Sequence, residues 1–319
     1  MKKLNLKKFD VWQKIFHLVN KFLIFLLTTY SLYGAFKDSG WGARAAGMGG
    51  AFSAVANDAS APLWNPSGVA QIKRPKGIFM YSQLFVGLEE VNLALHYASF
   101  VYPTKNKVTI GISWANFTAM DTYRENTVVL CCATKITEFI PYTLPDIFLG
   151  VNLKYLDHGF TLDKRTYDDP VFLKGTSKGA ITVDIGFLMK IRNESFALSI
   201  KNITEPDVGL KTKDIVPKEV KFGISYRFGR FWQLYSTLCA FDLTYRDEDL
   251  NLHFGIESWF YKRLFAIRIG INNREVTSGF AFNFNLLNKI DLQLDYAFIW
   301  PMYIEESYGS HRISLSYRF

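Results

Sequence analysis

The sequence predicts a transmembrane antiparallel β-barrel of about 14 strands with a small N-terminal hatch segment inside its lumen. Three observations carry that expectation. From residue 77 to the last residue, apolar and polar side chains alternate with period two, with little sign of the helical 3.6 period. The alternating segments run about nine to thirteen residues, near the roughly nine to eleven that a tilted strand needs to cross the hydrocarbon layer and longer than ordinary soluble strands. Aromatic residues make up 16% of the chain, with 28 Phe and 17 Tyr, which suits two membrane interfaces. Overall hydropathy is close to neutral, so a bundle of transmembrane helices, each needing about 20 apolar residues, is excluded.

The chain begins with Lys2, Lys3, Lys7, Lys8, Lys14 and Lys21, followed by the apolar run Phe22 to Leu27 and small residues after it. This order describes a secretory signal peptide over 1–34, cut between Ser31 and Ala35; a retained anchor is the alternative. The segment holds six Lys against one Asp, so most of the formal +8 charge belongs to it and about +3 remains on the mature chain. That balance gives no reason to expect nucleic acid as a partner, and no RNP, zinc-finger or helix-turn-helix pattern is present.

Residues 35–75 have a different composition. Between Gly40 and Ala70 the only charges are Arg44 and Asp58, and glycine stands at 40, 42, 47, 49 and 50 among many alanines. Such a stretch has too little side chain to build its own core, and its glycines let backbone approach backbone. It needs walls, and the barrel at 76–319 would supply them.

Fourteen segments alternate: 77–87, 91–102, 106–118, 122–134, 146–157, 179–191, 195–203, 219–228, 235–246, 249–258, 263–271, 276–285, 289–298 and 311–319. In one of them Ile181, Val183, Ile185 and Phe187 oppose Thr182, Asp184 and Gly186. Apolar side chains toward lipid and polar ones toward the lumen is the natural assignment. It turns Lys154, Asp184, Lys190, Lys221, Arg227, Asp242, Arg246, Glu257, Arg268, Asp291, Asp295 and Arg318 inward, as a mixed-sign lining. Tyr102, Tyr155, Tyr245, Phe260 and Trp300 lie near segment ends, where interfacial girdles belong. The long connections 158–178, 204–218 and 299–310 all follow odd-numbered segments and share one end, as extracellular loops should; 135–145 is a long connection at the other end. The last segment places Leu315, Tyr317 and the terminal Phe319 on one face, the form in which outer-membrane barrels present themselves to the barrel-assembly machinery. Cys131, Cys132 and Cys239 are odd in number and two are neighbours, so they read as small hydrophobes rather than a disulfide framework.

With a barrel in view, GARAAGMGGAFSAVANDASAPLWNPSGVA resembles the N-terminal segment of FadL-type outer-membrane transporters, and more closely the PorV/PorQ branch. There a Gly-Ala-rich run leads to a Trp-Asn-Pro-Ala-Gly motif, which here reads Trp64-Asn65-Pro66-Ser67-Gly68 with Ser67 in place of Ala. The match covers about thirty residues, the length of the quoted motif. It implies a hatch in the lumen built on Gly47, Gly49, Gly50, Asp58, Trp64, Asn65, Pro66 and Gly68. It also implies one of two roles. One is a channel taking up hydrophobic small molecules of long-chain fatty-acid type. The other is a PorV-like accessory that binds exported proteins or a secretion complex. Either way the protein sits among outer-membrane lipids of a diderm, Gram-negative-type bacterium. Asn65 and Pro66 define a tight turn, and Asp58 caps or pairs locally.

Catalytic chemistry is not indicated. None of His17, His96, His158, His253 and His311 has metal-ligand spacing with another, and no G-x-S-x-G, HExxH or phosphate-binding loop occurs, so no enzyme, metal or cofactor is expected. His96 and His253 share lumen-facing parity. Phe160, Tyr167 and Phe172 in one long loop and Trp300, Met302, Tyr303 and Ile304 in another are apolar residues at the outer mouth. They could receive a lipid-like ligand, or could pack on one another or on headgroups.

Overall fold

The computed structural model describes residues 35–36, 40–139, 145–164, 166, 168–230, 233–286, 290–304 and 306–319. The expected leader at 1–34 and Tyr167 lie outside the described residues. Fourteen strands follow one another: β1 (Lys76–Leu84), β2 (Leu93–Pro103), β3 (Val108–Ala119), β4 (Tyr123–Lys135), β5 (Asp146–Phe160), β6 (Ser177–Ile191) and β7 (Glu194–Lys201), then β8 (Glu219–Phe228), β9 (Leu234–Arg246), β10 (Asp249–Phe260), β11 (Phe265–Asn272), β12 (Glu275–Leu286), β13 (Ile290–Pro301) and β14 (Ser310–Arg318). Each pairs antiparallel with its sequence neighbours, and β1 pairs with β14 to close the barrel. Among the described residues the ladders run without a break in register except between Trp259 and Phe260. Among the described residues no helix is long and apolar enough to cross a membrane.

The expected segments fall within three residues of these strands. β5 and β13 each run three residues past their expected ends, because their partners are long enough to continue the ladder: His158, Gly159 and Phe160 face Glu125, Arg124 and Tyr123, while Trp300 and Pro301 face Val276 and Glu275. The connections 161–176, 202–218 and 302–309 lie at one end, and the C-terminus lies at the other. The connection that breaks the pattern, 136–145, stays at the C-terminal end and begins with a 3₁₀ turn at Ile136–Glu138.

Alternation sorts the side chains as expected. Ile181, Ile185, Leu130 and Ile269 are exposed on the outer wall, with Tyr102, Tyr245 and Trp300 exposed near strand ends; Tyr155 is exposed but lies inside the longer β5, and Phe260 is half-buried. Lys154, Asp184, Lys221, Asp242, Arg246, Glu257, Arg268 and Asp295 are all buried inside. His253 faces the lumen, but His96 does not. It alternates with the buried Leu95 and Tyr97, and its ring lies 5.4 Å from that of the exposed Tyr81. Cys131 is buried, Cys132 is exposed, and all three cysteines are free.

The segment before β1 fills the lumen. It folds into α1 (Ala43–Ala46), α2 (Ala61–Trp64) and a 3₁₀ turn at Pro66–Gln71. The first packs toward β12, β13 and β14, and the last toward β3 to β6. Trp41, Met48, Phe52, Val55 and Trp64 supply the large side chains of its apolar core, and the Phe52 and Trp64 rings meet edge-on at 5.7 Å. The remaining space is too narrow for larger residues, which is the physical use of the alanines and glycines.

Candidate functional site

The plug meets the wall at three kinds of contact. The first is the close approach of wall glycines to the plug, onto plug backbone at four positions and onto the Asn65 side chain and Pro66 ring at Gly186. A side chain added at the lumen-facing Gly150, Gly186, Gly223, Gly255 or Gly270 would strike Pro66 and Ser67, Asn65, Ala54, Met48 or Gly49. Glycine inside a strand weakens it and marks the close approach of another backbone. These five lie on β5, β6, β8, β10 and β11, so the approach extends around much of the circumference. Gly49 and Gly50 meet the wall in left-handed backbone, φ +64° and +82°, as glycine readily does.

The second contact is polar. Irregular backbone buried away from water must find partners, and the wall provides them. Asp242 Oδ2 accepts from the Phe52 and Ser53 amides at 2.9 and 2.7 Å. Thr277 Oγ1 accepts from Gly49 N at 2.9 Å, and Ser314 Oγ from Ala43 N at 2.8 Å. His253 Nδ1 lies 2.8 Å from the Gly49 carbonyl, while Asn152 Nδ2 donates to the Pro62 carbonyl at 2.7 Å.

The third is a buried chain of alternating charge, Asp58–Arg44–Glu257–Arg268–Asp295. Arg44 grips Glu257 with two bonds of 2.7 and 2.8 Å, and its Nη1 reaches Asp58 at 3.1 Å and Asn57 at 2.6 Å. Arg268 continues the chain to Glu257 at 2.8 Å and to Asp295 at 2.7 Å. The only basic residue of the Gly40–Ala70 stretch therefore joins the hatch to the wall, and Asp58 also accepts from the Ser60 amide and hydroxyl.

The hatch motif has its own geometry. Asn65 Oδ1 accepts from Ser67 N at 3.1 Å and from the Ser67 hydroxyl at 2.7 Å, capping the 3₁₀ turn that Pro66 begins. The hydroxyl that distinguishes Ser67 from the usual Ala thus closes the turn. Asn65 Nδ2 donates to the carbonyls of Ser53 and of Phe187 on the wall, so the residue does more than make a turn. Trp64 Nε1 donates to the Trp41 carbonyl at 2.7 Å, and Gly68 is pressed against Ala56 where no side chain fits. Gly47 lies beside Gly279 and Arg268.

On the side of the plug that faces the long connections is a cavity of about 440 Å³, floored by Gly49, Gly50 and Trp64. Leu84, Leu93, Phe117 and Ile299 give it apolar walls, while Glu219, Lys221, Arg246 and Arg312 give it polar ones. Lys221 Nζ stands 4.8 Å from the Trp64 ring centre and 3.3 Å from Glu219, which Lys201 also approaches at 3.2 Å. Among the described residues no cluster could hold a metal ion.

The outer-mouth residues separate into two groups. Phe160 ends β5 and Trp300 lies within β13 on the outer wall, so neither belongs to a loop as the sequence suggested. Phe160 packs on Tyr123, His158 and Phe172, with ring centres 4.9, 5.6 and 5.5 Å away, so Phe160 and Phe172 serve loop packing. Met302 and Tyr303 are exposed. At the C-terminus Leu315 and Phe319 are exposed, and Tyr317 lies over Gly77 beside Phe79.

The model of the family "Type IX secretion system membrane protein PorP/SprF" matches residues 61–317, from the second plug helix through nearly all of the barrel. The chain belongs to the PorP/SprF family. It is accordingly a β-barrel protein of the outer membrane of a Gram-negative-type bacterium. The family matched is PorP/SprF, not the PorV/PorQ branch to which the hatch motif pointed. Three solved structures share the PorP/SprF chain's fold. The toluene transporter TodX of Pseudomonas putida has 10% identity and a TM-score of 0.57, over 90% of this chain and 99% of its own. A monoaromatic hydrocarbon channel, CymD, has 11% and 0.57, over 89% and 98%. A FadL homologue of Pseudomonas aeruginosa has 10% and 0.54, over 86% and 97%. At these identities the likeness is one of fold, as the FadL-type resemblance implied. A comparison with curated protein sequences finds no match.

The wall glycines and the partners Glu219, Lys201 and Arg312 were not singled out from the sequence. A signal for the glycines was present, since each stands at lumen parity inside a strand where glycine otherwise has no use.

Proposed function

We propose that the chain serves type IX secretion as a plugged outer-membrane barrel, a binding module and not a conduit. The observation that carries this is the joining of plug and wall: close contacts at glycines on five strands and a buried ion chain tie the plug into a barrel whose ladders are continuous. A lateral exit needs an interrupted ladder, and the register shift at Trp259 and Phe260 is one residue wide. Family membership supports the secretion role.

Uptake of hydrophobic molecules is the second reading, favoured by the fold shared with TodX and CymD and by the partly apolar cavity over Trp64. Proteoliposomes are expected to take up toluene or a long-chain fatty acid no faster than protein-free liposomes, while affinity capture from cells recovers type IX components. Saturable uptake that Asn65→Ala changes would move the assignment to the second reading.

We also infer that the exposed C-terminal residue addresses the barrel-assembly machinery. Deleting Phe319 is expected to lower the amount of folded protein in the outer membrane several-fold while refolding in detergent proceeds as before, because its amide makes one bond to Pro75 and its side chain is half-exposed. Equal loss in both settings would make it a stability residue.

A further inference from the structure

The two mouths of the barrel carry opposite charge. When each connection is taken with one flanking strand residue on either side, the described residues at the C-terminal end bear eleven Lys or Arg against three Asp or Glu. The other mouth bears eight against fifteen. The longest loops belong to the acidic mouth, which makes it extracellular and the basic mouth periplasmic. We propose that the basic periplasmic rim is a docking face for an acidic protein surface.

The placement of the cations selects this occupant. Lys73 and Arg74 lie on the strap that leaves the plug and enters β1, and Lys76 and Arg318 stand at lumen parity on β1 and β14. Lys105 and Arg230 are exposed on turns. Lipid headgroups surround the wall from outside, so they reach the turns but neither the strap nor the lumen side of the mouth. A body seated across the opening reaches all of them. Two of the three acidic residues at this end, Glu138 and Asp146, are paired with Lys73 and Lys135 at 3.6 and 2.6 Å, and Arg318 is paired with Asp291 just inside the mouth, so the basic excess among the other cations outlasts the local pairing. With a screening length of about 8 Å at physiological ionic strength, such a rim acts on a partner in contact and steers its approach. The inference rests on the rim alone and holds under either reading of function.

The test uses the full chain in phosphatidylcholine nanodiscs, with a fluorescent polyglutamate peptide as the probe. The peptide is expected to bind at low salt and to be released as salt rises. Reversal of three exposed rim cations, Arg74→Glu, Lys105→Glu and Arg230→Glu together, should weaken binding about tenfold. The matching reversal at the outer mouth, Lys174→Glu, Lys211→Glu and Lys213→Glu, should change it less than about twofold. Heat-modifiable gel mobility confirms that each variant is folded. Absence of binding, or equal loss from both reversals, overturns the proposal. So does a rim reversal that leaves peptide binding intact and instead changes the partition of the protein into phosphatidylglycerol bilayers, because the cations would then serve lipid.

Discussion

Gly150→Ala and Gly270→Ala are expected to turn a plugged barrel into a leaky one. At both positions the added carbon falls on plug backbone, Pro66 and Ser67 in one case and Met48 and Gly49 in the other. Backbone in a filled lumen cannot swing aside as a long side chain can, so the plug shifts or the wall bends. Overpacking of this kind costs about 1–3 kcal/mol, enough to lift one side of the plug from the wall and admit water. Single-channel recording in planar bilayers should show new conductance for both variants. Gly111→Ala is the control, since its added carbon would lie 3.4 Å from Cys131 and Val101 and 3.6 Å from Pro62, ordinary or slightly tight contact. Silent bilayers for Gly150→Ala and Gly270→Ala, with folded mobility retained, would show that the plug is not seated as described.

Glu257→Gln should destabilise the protein more than Arg44→Met. Glu257 stands between two guanidiniums with no exposure to solvent, so neutralising it leaves Arg44 and Arg268 buried with one anion fewer to face. Removing one partner of a buried pair typically costs about 3–5 kcal/mol. Arg44→Met leaves Glu257 with Arg268 and leaves Asp58 with Ser60, so its cost should fall below that range. The double variant, Arg44→Met with Glu257→Gln, should lose less than the sum of the two single losses, because Arg44 is no longer left facing a neutral partner while Arg268 keeps Asp295 and Asp58 keeps Ser60. Urea titration followed by gel mobility measures the three values, and protease cleavage within 40–70 reports release of the plug. Additive losses in the double variant would mean that the two residues do not act as a pair.

Most of the fold was legible in the sequence because a barrel wall has two solvents. Every lipid-facing position must be apolar and the lumen face need not be, so the alternation at 181–187 or 265–271 marks strand, register and direction at once. Strand ends were less legible. Nothing in Asp157-His158-Gly159 says that the ladder continues, since that depends on Tyr123 to Glu125 across the sheet. The enclosed segment was legible as a piece needing walls, and Asn65 and Pro66 as its turn. Their wall contacts were not, because Arg44 and Glu257 are 213 residues apart and no local pattern joins them. His96 was assigned to the lumen through a parity set one residue out of phase, the kind of slip that reverses every side chain of a strand.

The plug is the first part of the described chain, yet it touches strands as late as β14, where Ser314 receives the Ala43 amide. A folded plug cannot pass through a wall of continuous ladders, so it reaches its seat either along the barrel axis through an open mouth or before the seam between β1 and β14 has closed. On the second route the plug is a mandrel around which the sheet is wound. Its width, kept small by alanine and glycine, helps decide the circumference at which the last hydrogen bonds can meet.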